Sequence, residues 1–217
     1  MATAELKHFV RYGKKIAGAG LNYRSLLTER KLPLPKEPVI FLKPTSSYIT
    51  EGQNIEIPDG FVVHEEVELG VIIGQRCKNI PESQSLQYVG GYCLALDLTE
   101  VRLMKEIREN GLPWTFGKGF DTACPVSRFL HCEEIQNPNN VRIWCKVNGE
   151  LRQNETTSDM VFPIASLISH ISQYMSLEPG DLILTGSPAG VGPIGPSDVM
   201  EAGIGEDISM TFPVVAV

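Results

Sequence analysis

The stretch Val63-His64-Glu65-Glu66-Val67-Glu68-Leu69-Gly70-Val71-Ile72-Ile73-Gly74 reads as an extended strand whose two faces differ in chemistry. Side chains alternate along a strand, so Glu66, Glu68, Gly70 and Ile72 share one face while Val67, Leu69, Val71 and Ile73 share the other. One face is apolar, and the other opens with two carboxylates. Adjacent anions repel unless water, a proton or a cation neutralises them, and a divalent metal is the leading candidate.

The same kind of short apolar run recurs along the chain, punctuated by 20 Gly and 15 Pro, which predicts many short strands joined by turns. Strands are expected at 15–19, 39–42, 55–57, 67–73, 92–97, 141–147, 181–185 and 207–212. Asn148-Gly149 lies between two strand-like pieces and marks a tight hairpin. Two helices are expected: 101–110, facing solvent, and 164–175, whose Ile164, Leu167, Ile168 and Ile171 place it on the core. The fold class is therefore α+β, predominantly β. Residues 1–37 read as a short N-terminal element, in which 21–37 is a polar helix-like segment running into a Pro-rich linker suited to a mobile lid. Residues 38–217 read as the β-rich body, the whole forming a single structural domain. No internal repeat is present.

With 217 residues the chain can bury a sizeable core, and 42% hydrophobic with 21% charged residues is ordinary for a globular protein. No apolar run approaches the roughly 20 residues of a membrane helix, so no membrane partner is expected. A net charge of -7 argues against nonspecific nucleic-acid binding. The five cysteines are odd in number and lack CxxC spacing, which suggests neither a disulfide framework nor a zinc site and points to a reducing compartment. Lys7, Arg11, Lys14 and Lys15 against Glu5 faintly resemble a basic targeting segment, but they merge directly into Ile16-Ala17-Gly18 and read as structural first. No secretory signal peptide is expected.

A third carboxylate, Asp97, ends the apolar run Gly91 to Leu96. With Glu66 and Glu68 it makes an all-oxygen set suited to Mg²⁺ or Mn²⁺. The competing reading, in which all three simply face solvent, stays open on composition alone. Lys118 is flanked by Gly117 and Gly119, where it could hold a carboxylate or an enolate oxygen or be an exposed turn lysine. The run Leu184-Thr185-Gly186-Ser187-Pro188-Ala189-Gly190-Val191-Gly192 offers hydroxyls and open backbone N–H groups for a small carboxylate, or is a turn. No GxxxxGK[ST] or GxGxxG pattern calls for a nucleotide. His64 shares the face of Glu66 and Glu68, though a lone strand histidine is more often structural.

Taken in order, Phe41-Leu42-Lys43-Pro44, Glu66-x-Glu68-Leu69-Gly70, Leu96-Asp97-Leu98-Thr99, Lys118-Gly119-Phe120-Asp121, Val147-Asn148-Gly149-Glu150 and the Leu184 to Gly192 run resemble the fumarylacetoacetate hydrolase family over nearly the whole chain. The likeness is to a short eukaryotic branch associated with acylpyruvate hydrolysis and with oxaloacetate decarboxylation and tautomerisation. The resemblance implies a mixed β-sandwich roll, a homodimer, and Mg²⁺ or Mn²⁺ held by Glu66, Glu68 and Asp97. It also implies substrate contact by Lys118 and by the Thr185-Gly186 loop, and an intracellular home in the mitochondrial matrix or cytosol, the mitochondrion slightly favoured. A 2-oxo acid chelating the metal would form an enolate at the adjacent carbon.

The chain departs from the family pattern at its lid. A His followed three residues later by Glu normally activates water there, and this chain carries Leu26 and Glu29. After the metal Asp, the places of an Arg and a Gln hold Val101 and Met104, and Arg102 would compensate only through a shifted helix. Leucine takes no proton, and a general base contributes about 10²–10⁴ in rate. The expected function is thus oxaloacetate tautomerisation or decarboxylation, with Lys118 or Glu29 relocating the proton, ranked above hydrolysis of a 2,4-dioxo acid. A degenerate member acting as a ligand sensor or dimerising partner is the third reading.

Overall fold

The computed structural model describes residues 3–217. Its main sheet has seven strands: β1 (Ile16–Gly20), β2 (Val39–Lys43), β3 (Tyr48–Thr50), β6 (Val67–Ile73), β7 (Val89–Leu96), β9 (Cys124–Val126) and β12 (Leu182–Leu184). Their spatial order is β2-β1-β12-β6-β7-β9-β3. The sheet is mixed, since β1 runs parallel to β12 and β3 to β9 while the other neighbours are antiparallel. A second sheet is ordered β11-β10-β14-β15-β4, from β4 (Ile55–Ile57), β10 (Arg142–Val147), β11 (Glu150–Thr156), β14 (Val199–Ile204) and β15 (Ile208–Ala216). Three short strands, β5 (Val63–His64), β8 (Thr99–Glu100) and β13 (Pro193–Ile194), form a small third sheet at the site.

β6 lies in the interior of the main sheet and is buried on both faces. Val67, Leu69, Val71 and Ile73 pack against Ile143, Cys145, Val147, Met200 and Phe212 of the second sheet, which makes the large core of the sandwich. Ile72 faces the other way, into a smaller core with Cys93, Ala95, Leu182 and the N-terminal Leu6 and Phe9. A strand covered on both faces needs a continuous run without polar side chains, and Leu69 to Ile73 supply one after Glu68. The expectation of one apolar and one polar face therefore holds only at the Glu66 to Glu68 end.

Helices cover the edges: α1 (Thr3–Leu6), α2 (Phe9–Tyr12), α3 (Arg24–Glu29), α4 (Glu82–Ser85), α5 (Val101–Glu109), α6 (Thr115–Lys118) and α7 (Ile164–Tyr174). Among the described residues no helix is long and apolar enough to cross a membrane. The basic N-terminal segment is structural in its placement, since Leu6 and Phe9 are buried and Asp181 ion-pairs with Lys15 while accepting the Lys14 N–H. β1 pairs with both β2 and β12, so residues 1–37 contribute a strand to the body's own sheet.

The expected strands all appear within a few residues of their predicted bounds, and Asn148-Gly149 turns with φ of 53° and 79°, the left-handed pair of a tight hairpin. α5 differs from expectation: Met104 and Ile107 are buried, so the helix is amphipathic and only its outer side faces solvent. Lys118 also differs, for it closes a short helix and is 3% exposed, where a turn flanked by glycines was the open alternative.

Candidate metal centre

Glu66 precedes β6, Glu68 is its second residue, and Asp97 follows the last residue of β7. Val67 stands opposite Leu96 in the antiparallel pair, and the Asp97 N–H donates to the Glu66 carbonyl at 2.8 Å, so the pairing register brings the three acids to one sheet end. Their oxygens lie within 4.8 Å of one another. Glu68 and Asp97 are each 1% exposed, and Glu66, with 16% of its side chain exposed, faces the opening. The solvent-facing alternative is thereby excluded.

Two lysines answer the acids. Lys118 Nζ donates to Glu66 Oε2 at 2.9 Å, to Thr99 Oγ1 at 2.7 Å and to Asp97 Oδ2. Lys43, buried beneath, donates to the carbonyls of Leu98, Lys118 and Ala123, and its Nζ lies 2.8 Å from Asp97 Oδ1. Those three carbonyls take all three ammonium protons, so the contact with Asp97 Oδ1 is ionic and that oxygen accepts no hydrogen bond. Three carboxylates face two ammonium groups, leaving one excess negative charge.

The acid strengths express this imbalance. Burial, and then the charges of Asp97 and Glu66, hold the Glu68 carboxyl well above its usual range against the single hydrogen bond from the Gly186 N–H. Burial also raises Glu66, opposed by Lys118. For Asp97, burial acts upward but the two lysines outweigh it and lower the pKa. For Lys118, burial acts downward and is outweighed by Asp97 and then Glu66, so the side chain stays protonated. An all-oxygen cluster of three carboxylates, their oxygens within 4.8 Å of one another and carrying a net negative charge, fits a hard divalent cation.

The loop after β12 positions the site. Gly186 has φ of 101°, and a Cβ there would meet Asn22 Cβ at 2.7 Å, so glycine alone lets its N–H reach Glu68. Thr185 Oγ1 donates to the Leu69 carbonyl at 2.8 Å. Both donors of the Thr185-Gly186 pair, expected at the substrate, here serve the protein. Ser187 lines the cavity and accepts from Gln153 Nε2 at 2.8 Å, which leaves its hydroxyl proton uncommitted.

The segment expected to be a lid begins as α3, docked on the body. Asn22 Nδ2 donates to the carbonyls of Phe162 and Thr185, and the Ser25 N–H donates to Asp159. Leu26 is buried and lines the cavity. Glu29 lies outside that lining and accepts the Gly190 N–H at 3.2 Å. Arg102 pairs outward with Glu100 at 3.8 Å and does not enter the cavity. Met104 packs its sulfur against Gly117, next to Lys118. His64 is outside the carboxylate group, and burial lowers its pKa.

The Leu184 to Gly192 run supplies Ser187 as expected, but sequence reasoning missed Lys43, Arg30, Arg108 and Trp114. All but Lys43 line the cavity above the acids. Arg108 had a legible signal, since on α5 it shares a helix face with Val101 and Met104 at i+7 and i+4.

The family described as fumarylacetoacetate (FAA) hydrolase C-terminal matches residues 15–215. The chain is 46% identical over 214 residues to the human "Oxaloacetate tautomerase FAHD1, mitochondrial", covering 98% of this chain and 97% of that protein. It is 44% identical over 213 residues to "Oxaloacetate decarboxylase, mitochondrial" of Dictyostelium discoideum, covering 97% and 98%. Among solved structures, fumarylpyruvate hydrolase from Pseudomonas aeruginosa in complex with Mn²⁺ and pyruvate superposes with a TM-score of 0.89 at 29% identity, covering 94% of this chain and 91% of that one. The yeast protein ynq8 superposes at 0.84 with 35% identity, covering 96% and 95%. The ordered motifs, the mixed sandwich and the carboxylate cluster at its sheet end agree with these likenesses, and the chain belongs to the fumarylacetoacetate hydrolase family.

Proposed function

We propose that this chain is a Mg²⁺- or Mn²⁺-dependent enzyme acting on oxaloacetate, as a tautomerase with accompanying decarboxylation, in the mitochondrion. The observation that carries the reading is the Glu66, Glu68 and Asp97 cluster, its oxygens within 4.8 Å of one another, set beside a protonated Lys118. The names of the human and Dictyostelium relatives support the substrate and the compartment.

Glu66, Glu68 and Asp97 would hold the cation, which supplies a Lewis acid that draws electrons from a 2-oxo group. Lys118, kept charged by its carboxylates and with its three protons taken by Glu66, Asp97 and Thr99, sets a positive charge beside the oxygen that becomes negative as a proton leaves the neighbouring carbon. Ser187 offers a hydrogen-bond donor from the loop. Leu26 and Trp114 wall the cavity with hydrocarbon and limit water. Glu29 is engaged by Gly190 outside this lining, so the reading rests on Lys118 rather than on both. The buried Leu26 also ranks hydrolysis of 2,4-dioxo acids below enolate chemistry, because no proton acceptor stands at that place.

We further infer a homodimer. Tyr174 and Leu42, 72% and 46% exposed, flank an apolar groove with Phe41 and Trp114, a surface suited to a second copy. Sedimentation at micromolar concentration tests it, and a monomer mass refutes it.

The decisive assay follows oxaloacetate enol–keto conversion, oxaloacetate decarboxylation and acetylpyruvate cleavage in parallel, with Mg²⁺, with Mn²⁺ and with chelator. Chelator-sensitive tautomerisation faster than cleavage is expected. Acetylpyruvate cleavage as the fastest reaction would reverse the ranking, and no activity on any substrate would favour a sensor.

A further inference from the structure

Two arginines converge on the cavity without a carboxylate of their own. Arg30 follows the last residue of α3 and Arg108 is the penultimate residue of α5, and both line the cavity whose floor includes Glu66, Glu68 and Lys118. Among the described residues neither guanidinium has a carboxylate oxygen within 4.0 Å or a hydrogen bond to the protein. Arg108 lies over the Trp114 ring, 5.0 Å from its centroid, which holds the guanidinium plane without neutralising it. The two cations also act on each other and on Glu66: Arg108 is lowered chiefly by burial and further by Arg30, with Glu66 opposing.

Charge at the floor is already assigned. Lys118 is committed to Asp97, Glu66 and Thr99, so it has no capacity for a second, distant anion. A divalent cation would turn the floor's excess negative charge into an excess positive one, which a single carboxylate of a 2-oxo acid balances. A dicarboxylic substrate brings one more negative charge. The remaining wall is apolar at Ala19, Leu26 and Trp114, leaving the arginine pair as its counter-charge.

We propose that Arg30 and Arg108 hold the distal carboxylate of a dicarboxylic 2-oxo acid, and so select a four-carbon diacid over a monocarboxylic acid and proton transfer over loss of CO₂. The proposal rests on the metal-dependent reading of the site. In tautomerisation a C3–H bond breaks, the C2–C3 double bond forms and the C2 oxygen gains a proton, while the distal carboxylate keeps its charge. In decarboxylation the C3–C4 bond breaks, its electron pair moves into C2–C3 with negative charge passing to the C2 oxygen, CO₂ leaves, and C3 then takes a proton. The carboxylate loses its charge on the second path only. Guanidinium groups holding it therefore stabilise the bound substrate more than that transition state, and they leave the first path unopposed.

The test uses Arg30→Gln, Arg108→Gln and the double variant beside the wild-type protein, all saturated with Mg²⁺ and matched for melting temperature. Titration calorimetry measures L-malate, L-lactate and oxalate, which share a metal-binding end but differ in the distal carboxylate. Wild type is expected to bind malate at least about tenfold tighter than lactate, and the double variant to lose that preference while keeping oxalate affinity. KM for oxaloacetate rises about tenfold for each arginine removed and the decarboxylated fraction of turnover increases. An unchanged malate-to-lactate ratio in the double variant overturns the clamp while leaving the metal reading standing. Failure of wild type to bind oxalate overturns the metal reading, and the clamp with it.

Discussion

Lys43 and Lys118 bracket a single carboxylate, Lys43 lying against Oδ1 of Asp97 and Lys118 against Oδ2, with all three side chains buried. Lys43 has no access to a ligand, so its work is to hold Asp97 ionised beneath the site. Lys43→Met would leave three carbonyls without a donor and Asp97 with half its compensation. Removing one partner of a buried pair costs about 3–5 kcal/mol. Urea denaturation is expected to show that loss, and a variant of wild-type stability would assign Asp97 another counter-charge.

Glu68 carries the opposite sign. Burial and two neighbouring anions raise its pKa, so without a cation its charge opposes folding. Glu68→Gln should raise the melting temperature in chelator by several degrees and abolish the stabilisation that Mg²⁺ or Mn²⁺ gives wild type, which is about 2.7 kcal/mol at a hundredfold excess over Kd. Differential scanning calorimetry with and without metal reads both effects. A metal response that survives the substitution removes Glu68 from the ligand set.

Lys118→Met separates stability from catalysis. Its loss unbalances Glu66 and Asp97, and the variant should melt lower in chelator, with metal recovering most of the difference. Tautomerisation should remain about 10²-fold slower even when the site is metal-saturated, as for removal of one preorganised charge beside a developing oxyanion. Recovery of rate together with stability would make Lys118 structural only.

Leu26→His places a titratable ring at the cavity wall. Acetylpyruvate cleavage is expected to rise, toward the 10²-fold contribution typical of a general base, while stability falls by about 1–3 kcal/mol because a polar group enters a hydrophobic cluster. Steady-state kinetics on acetylpyruvate checks it. No gain in cleavage would shift attention to Val101 and Met104.

Glu65 sets a pH dependence. Its carboxyl, buried against Gly192 with Arg152 at 3.7 Å, is pushed up to about 7 by burial, from 4.5. Between those values the folded protein holds a proton that the unfolded chain releases, so this group's contribution to stability falls as pH rises from about 4.5 to about 7 and is level above. Glu65→Gln should flatten that decline, measured as melting temperature across pH 5 to 8. An unchanged slope assigns the decline to other groups.

The metal cluster was legible because strand pairing converts sequence into position: Glu66, Glu68 and Asp97 sit at the facing ends of β6 and β7, and period-two alternation orders the first two. The strand reading extended too far at its start, where Val63–His64 turns away into a separate small sheet and leaves Glu65 and Glu66 between two strands. Lys43 belongs to the Phe41-Leu42-Lys43-Pro44 motif, but its role depends on Leu98, Lys118 and Ala123 meeting it from 55 to 80 residues away, which no local pattern encodes. Lys118 looked like a turn lysine because glycines flank it. Arg30 follows α3 and Arg108 lies near the end of α5, and only the tertiary fold brings both to one cavity.

The floor of the site is built from strand ends and buried lysines, while its rim comes from α3 and α5, whose Arg30 and Arg108 reach inward from exposed positions. Substitutions at the floor disturb charges on which folding depends, whereas exposed rim positions can change with little effect on stability. The scaffold therefore has an adaptable margin around a rigid centre. New substrate preferences can arise there by single replacements, without the protein first losing its metal chemistry or its fold.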